Sequence, residues 1–77
     1  MAQGSMIRAS QLYNVLACFK ADQENGQYIV RGNLTSFMGA GEEFVLDETA
    51  EYRSNGHWCN LLSAVKATSY YQPVAVF

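Results

Sequence analysis

Gln27-Tyr28-Ile29-Val30-Arg31-Gly32-Asn33-Leu34-Thr35-Ser36-Phe37-Met38 is the stretch whose reading decides the fold. Tyr28, Ile29 and Val30 are aromatic or β-branched, the side chains that fit a pleated, half-buried surface. Leu34, Thr35 and Phe37 continue that character. Gly32 interrupts the run, and a glycine inside a strand marks a bulge or the close approach of another backbone. The stretch predicts a strand with an internal irregularity. Turn-forming residues bound it on both sides: Asp22–Gln27, which contains Asn25-Gly26, and Gly39-Ala40-Gly41.

Working outward, a further strand is expected around Glu43–Leu46, extending towards Tyr52. Asn55-Gly56, flanked by Tyr52-Arg53 and His57-Trp58, is the strongest hairpin signal in the chain, because an Asn-Gly pair accepts the two positive φ angles of a type I′ turn. On the N-terminal side, residues 10–21 read two ways. Leu12, Val15, Leu16 and Phe19 fall at i, i+3, i+4 and i+7, a helical stripe with Ser10 as a candidate N-cap. As a strand, Tyr13, Val15, Ala17 and Phe19 would share a face, but Leu16 and Cys18 spoil the polar side, so the helix is favoured. Residues 58–67 repeat the ambiguity with Trp58, Leu61, Leu62 and Val65. The preceding turn favours a strand over His57–Leu61, with a helix after it. Tyr70 to Phe77 reads as a strand, and Pro73, which lacks a backbone donor, places it at an edge or at the strand's start. The expected fold is α+β: a small twisted antiparallel sheet or partly open barrel of four to five strands with one or two short helices. An all-β barrel is the alternative.

The totals agree with one small domain. Seventy-seven residues with 49% apolar and only 16% charged content exclude a disordered chain. No apolar run is long enough for a transmembrane helix, and no leader-like segment precedes the two cysteines, Cys18 and Cys59, so a cytoplasmic protein with reduced thiols is expected. Met1–Ser5 reads as a cloning remnant, leaving residues 6–77 as the single domain. The charge of −2 is unevenly spread. Glu42, Glu43, Asp47, Glu48 and Glu51 form an acidic run expected to be a solvated strand face. The rest of the chain sets Arg8, Lys20, Arg31, Arg53 and Lys66 against Asp22 and Glu24, a local excess of positive charge. Tight sequence-independent duplex binding, which needs many phosphate contacts, is not expected.

Residues 10–62 resemble small bacterial oligonucleotide/oligosaccharide-binding (OB) domains. The resemblance rests on Tyr28-Ile29-Val30-Arg31-Gly32-Asn33-Leu34, a strand with a glycine before a further apolar residue, followed by a turn and Phe44-Val45-Leu46-Asp47. These are similar to the second and third strands of that barrel, and Ser10-Gln11-Leu12-Tyr13 resembles the helix that precedes it in some members. The resemblance implies a face on which single-stranded bases stack.

No motif carries a catalytic or metal chemistry. His57, Cys59 and Cys18 supply soft ligand types, but not in the paired spacing of a zinc site. Cys59, His57 and Asp47 offer nucleophile, base and acid without an elbow or oxyanion-hole signature. Gly39-Ala40-Gly41 is followed by Glu42-Glu43, which would repel a phosphate. Neither an enzyme, a metal nor a cofactor is expected.

The aromatic residues are the informative material, because they exceed what so small a core must hold. Tyr28, Arg31, Phe37, Tyr52, Trp58, Tyr70 and Tyr71 are the candidate binding residues. The expected function is a non-catalytic interaction module that binds a protein partner, or a second copy of itself, through exposed aromatics and edge strands. The apolar tail Val74-Ala75-Val76-Phe77 is suited to strand addition. Single-stranded nucleic-acid binding on an OB-like face and small-molecule binding are the alternatives.

Overall fold

The computed structural model describes residues 2–36 and 43–76. In chain order the elements are β1 (Ala2–Arg8), α1 (Ala9–Cys18), β2 (Gln23–Glu24), β3 (Gln27–Tyr28), β4 (Val30–Arg31), β5 (Leu34–Ser36), β6 (Glu43–Leu46), β7 (Glu51–Ser54), β8 (His57–Asn60), α2 (Leu61–Lys66) and β9 (Pro73–Val76). The fold is α+β, with antiparallel pairing throughout and three open sheets instead of a closed barrel. A four-stranded sheet runs β5-β6-β1-β9, a three-stranded sheet runs β4-β7-β8, and β2 pairs with β3 alone. Met1–Ser5, read from the sequence as a remnant, includes the first half of β1: Ala2–Ser5 pair with Val76–Pro73.

Both ambiguous stretches resolve by burial. In α1 the stripe holds, with Leu12, Val15 and Leu16 buried. Phe19 caps the helix and tilts against the Tyr52 ring at 6.5 Å. Lys20 takes a left-handed conformation at φ 56°, and two bonds close the end, Lys20 N–H to Ala17 O (3.1 Å) and Ala21 N–H to Leu16 O (2.8 Å). This is a Schellman motif with lysine at the position glycine usually holds. In the second stretch the stripe is split. Leu61, Leu62 and Val65 are buried in α2, whereas Trp58 belongs to β8 and is 36% exposed. Asn60 divides the two elements: its Oδ1 accepts from Ser63 N–H (2.8 Å), an N-cap, and its Nδ2 donates to Glu48 O (2.9 Å). The core collects Ile7 from β1, Leu12, Val15 and Leu16 from α1, Leu46 and Tyr52 from β6 and β7, and Leu61 and Val65 from α2.

The two sheets are joined where the long ribbon turns a corner. Val30 pairs with Tyr52 and Arg31 with Glu51, then Leu34 pairs with Leu46. Two residues, Gly32 and Asn33, therefore face four, Asp47 to Ala50, and the bulge swings the ribbon from one sheet into the other. The expected strand from Glu43 towards Tyr52 stops at Leu46 for this reason. Gly32 has φ +95°, and a Cβ there would sit 2.2 Å from Thr49 O. Asp47 clamps the far side. Its carboxylate accepts the Thr49 N–H (2.8 Å), the Thr49 hydroxyl and the Asn33 Nδ2–H (3.1 Å), while Asn33 N–H donates to Thr49 Oγ1 (3.1 Å).

The acidic run is consequently not one solvated face. Asp47 is only 8% exposed, and Glu43 and Glu51 are half-buried beside Arg8 and Arg31. One continuous strand from Glu43 towards Tyr52 would show its carboxylates on one wet face, and the break at Asp47 to Ala50 ends that strand. Phe37, the Gly39–Gly41 turn and Glu42 lie outside the described residues. Among the described residues no helix is long and apolar enough to cross a membrane.

Gly32→Ala should therefore destabilise the chain by about 2–4 kcal/mol in urea denaturation, because strained backbone and a backbone clash act together. Gly26→Ala, where an added Cβ meets nothing within 4 Å, should cost only the positive-φ penalty of about 1–2 kcal/mol.

Candidate functional site

The three-stranded sheet turns one face inward and, among the described residues, leaves the other uncovered. The register sets Val30, Tyr52 and Cys59 side by side across β4, β7 and β8, and Tyr52 carries this rung into the core. Residues one step along each strand point the other way. Arg31, Glu51 and Asn60 form one outer rung, and Arg53 opposite Trp58 forms the next.

On this outer face the Arg31 guanidinium carbon lies 3.9 Å from the centre of the Trp58 ring, a cation–π stack on the most favourable aromatic partner. Arg31 Nε also meets Oε1 of its cross-strand partner Glu51 at 3.0 Å, which ties the guanidinium beside the indole. Arg53 Nε meets Asp22 Oδ2 at 3.3 Å on the other side. The patch thus presents a large ring and two arginines whose charges are balanced by two carboxylates.

Asp22 is the fixed point beneath the patch. Its carboxylate accepts the N–H groups of Gly56 (2.9 Å) and Asn55 (3.1 Å), which makes it a lid on the hairpin turn. Its own N–H donates to Arg53 O (2.7 Å), and its carbonyl accepts the Ile29 N–H (3.2 Å). The Gly56 N–H above all, helped by Asn55 and Arg53 and opposed by partial burial, holds the Asp22 carboxyl below its ordinary range. Asp47 is likewise lowered, chiefly by the Thr49 hydroxyl, with desolvation opposing. Burial pushes the Tyr52 phenol up.

The strand edges differ in what they offer. Arg53 N–H donates to Ile29 O (3.1 Å), so its backbone faces β4, and the opposite residue Trp58 turns its own N–H and C=O away from β7 to an edge with no strand partner among the described residues. On β9 the Met6 N–H to Gln72 O bond (3.0 Å) fixes the alternation. Ala75 points outward, and so does Pro73, which has no N–H to give. Proline at that position blunts the tail strand as a docking edge. The edge of β8 carries no proline and no charged side chain.

The expected site residues separate accordingly. Arg31 and Trp58 come together on the outer face. Tyr52 is 6% exposed and sits in the core, where its ring offers nothing to a partner. Tyr70 and Tyr71 are half-buried against the core; the Asn14 amide reaches the Tyr70 hydroxyl (3.3 Å), and Lys66 Nζ lies 5.8 Å from the Tyr71 ring centre. Tyr28 lines a groove of about 530 Å³ between α1 and the β3–β4 segment, with Leu12, Leu16, Val30 and Phe44. Its ring lies 6.2 Å from that of Tyr13, the most exposed large apolar residue described. Phe37 lies outside the described residues. Arg53 and Asp22 were not picked out from the sequence. Arg53 was findable, since a two-residue Asn55-Gly56 turn sets it opposite Trp58. Asp22, thirty-odd positions away, carried no signal. Among the described residues no three histidine, cysteine or acidic side chains gather in one place.

Comparisons with protein-family models, with curated proteins and with solved structures return no match.

Because both aspartates titrate lower in the folded chain than in the unfolded one, their stabilisation is whole above the ordinary carboxyl range and is lost as pH falls through the depressed folded values. Asp22→Asn and Asp47→Asn should each be less stable than the parent at neutral pH. In denaturant titrations across pH, the gap should narrow only below about pH 4.

Proposed function

We propose that the chain is a small, non-catalytic interaction module that binds a protein partner across the outer face of β4, β7 and β8. The observation that carries this reading is Trp58, left 36% exposed on an uncovered sheet with the Arg31 guanidinium stacked on it at 3.9 Å. Tryptophan and arginine are the side chains that dominate interface energetics, and a ring already packed against an arginine loses less freedom on docking. The free edge of β8 runs along the same patch, so backbone pairing and side-chain anchoring are available to one extended partner segment.

Charge favours a protein over a nucleic acid as the partner. A single-stranded nucleic-acid face needs unpaired positive charge along its track. Here Arg31 is matched by Glu51 and Arg53 by Asp22, so the patch is close to neutral and suits a protein surface better. The groove beside Tyr28 supports a second, smaller role, since its volume and apolar lining suit a small apolar molecule.

Peptide-library selection against the immobilised chain tests the reading. Enriched peptides should bind the parent and lose about thirtyfold or more in affinity to Trp58→Ala, with a smaller loss to Arg31→Ala. Both variants should keep the parent's thermal midpoint within a few degrees. Peptides that bind both variants as well as the parent would overturn it. So would salt-sensitive binding of oligothymidine that quenches the tryptophan more strongly than any peptide does.

A further inference from the structure

The chain contains two Asn-Gly pairs, Asn25-Gly26 and Asn55-Gly56, and both close two-residue hairpins. Their φ angles nearly coincide, at 54° and 79° in the first turn and 53° and 78° in the second. Both residues of each turn are exposed, and an added Cβ would meet nothing within 4 Å at either glycine. They differ in one respect. In the second turn the Asp22 carboxylate holds both turn N–H groups, at 3.1 Å for Asn55 and 2.9 Å for Gly56. In the first turn neither N–H has a hydrogen-bond partner among the described residues.

That difference bears on a reaction. In an Asn-Gly pair the glycine backbone nitrogen can attack the asparagine side-chain carbonyl carbon. A C–N bond forms, the amide C–N bond breaks, ammonia leaves, and the glycine nitrogen gives up its proton. The resulting succinimide is opened by water at either carbonyl, leaving an aspartyl or isoaspartyl residue with one new negative charge. Attack requires the turn to leave its resting conformation and the glycine N–H to be free.

We propose that Asn25 is a site of spontaneous deamidation in the folded protein, and that Asn55 is protected by Asp22. At Asn55 the attacking nitrogen is itself the donor to Asp22, a charge-assisted bond that must break first. The surrounding strand is also held, because β7 pairs on both sides and Ser54 Oγ donates to Lys20 O at 3.1 Å. At Asn25 the hairpin is two residues per strand and pairs with no other sheet, the kind of ribbon that opens readily. Conversion there places a carboxylate next to Glu24, and the isoaspartyl form lengthens the backbone of a two-residue turn. Gly26, Gln27 and Tyr28 line the groove, so the modification changes its rim.

Peptide mapping reads this directly. Trypsin cuts after Lys20, Arg31, Arg53 and Lys66, which puts Asn25 in residues 21–31 and Asn55 in residues 54–66. The chain is incubated at mildly alkaline pH, folded and in urea, and the mass gain of each peptide is followed over time. The urea rates give each site's intrinsic reactivity, including the effect of its different neighbours. Folding should slow Asn55 at least about tenfold more than it slows Asn25, the order expected for losing charge-assisted hydrogen bonds. Asp22→Asn should remove most of the protection at Asn55 and leave the rate at Asn25 unchanged. Equal slowing at the two sites, or a faster Asn55 in the folded chain, would overturn the proposal. If Asp22→Asn does not fold, the comparison of folded and urea rates in the parent still decides.

Discussion

The structure depends on one close approach, that of Gly32 to the carbonyl of Thr49. No side chain fits between them, and the left-handed backbone at Gly32 lets the two segments meet. The contact lets two residues on one strand face four on the other, and that mismatch carries the ribbon out of the four-stranded sheet into the three-stranded one. Everything that lies beyond the corner, including Tyr52 in the core and Trp58 on the outer face, is placed by it. Asp47 keeps the bulge from straightening, because its carboxylate bonds three donors on both sides of the corner at once.

Asp22 plays the matching role at the other end of the three-stranded sheet. It ties the hairpin turn, the β4 segment and Arg53 to the residues just after α1. The two carboxylates resemble each other in logic: each accepts three backbone or side-chain donors at a point where the chain turns and local backbone groups lack strand partners. Together they tie the short three-stranded sheet to the rest of the chain at both of its ends.

How much of this could be read from the sequence depends on the range of the interaction. The helix at Leu12, Val15 and Leu16, the strand-then-helix division near Asn60 and the Asn55-Gly56 hairpin were legible because each is set by spacing within about a dozen residues. The bend at Gly32 was legible as a bend, since a mid-strand glycine has few other uses. Its partner was not, because nothing local marks Asp47-Glu48-Thr49-Ala50 as a bulge. The same blindness made the acidic run look like one wet face. For the candidate site, Arg31 and Trp58 were visible as residue types but not as a pair. Tyr52, equally aromatic and near in sequence, went to the core because strand alternation puts it on the opposite face from Arg53.

The sequence by itself determined both helices, most of the strands after Gln27 and an α+β chain with antiparallel pairing, but it did not mark β1. These follow from periodicity, turn chemistry and the restriction that proline and glycine place on the backbone. Only the tertiary structure decided which sheet each strand joined, which carboxylates were clamps and which aromatics stayed outside. Those outcomes rest on contacts between residues far apart in the chain, Gly32 with Thr49, Asp22 with Gly56 and Arg31 with Trp58. Such contacts form only when the whole core has closed, so no local pattern can carry them.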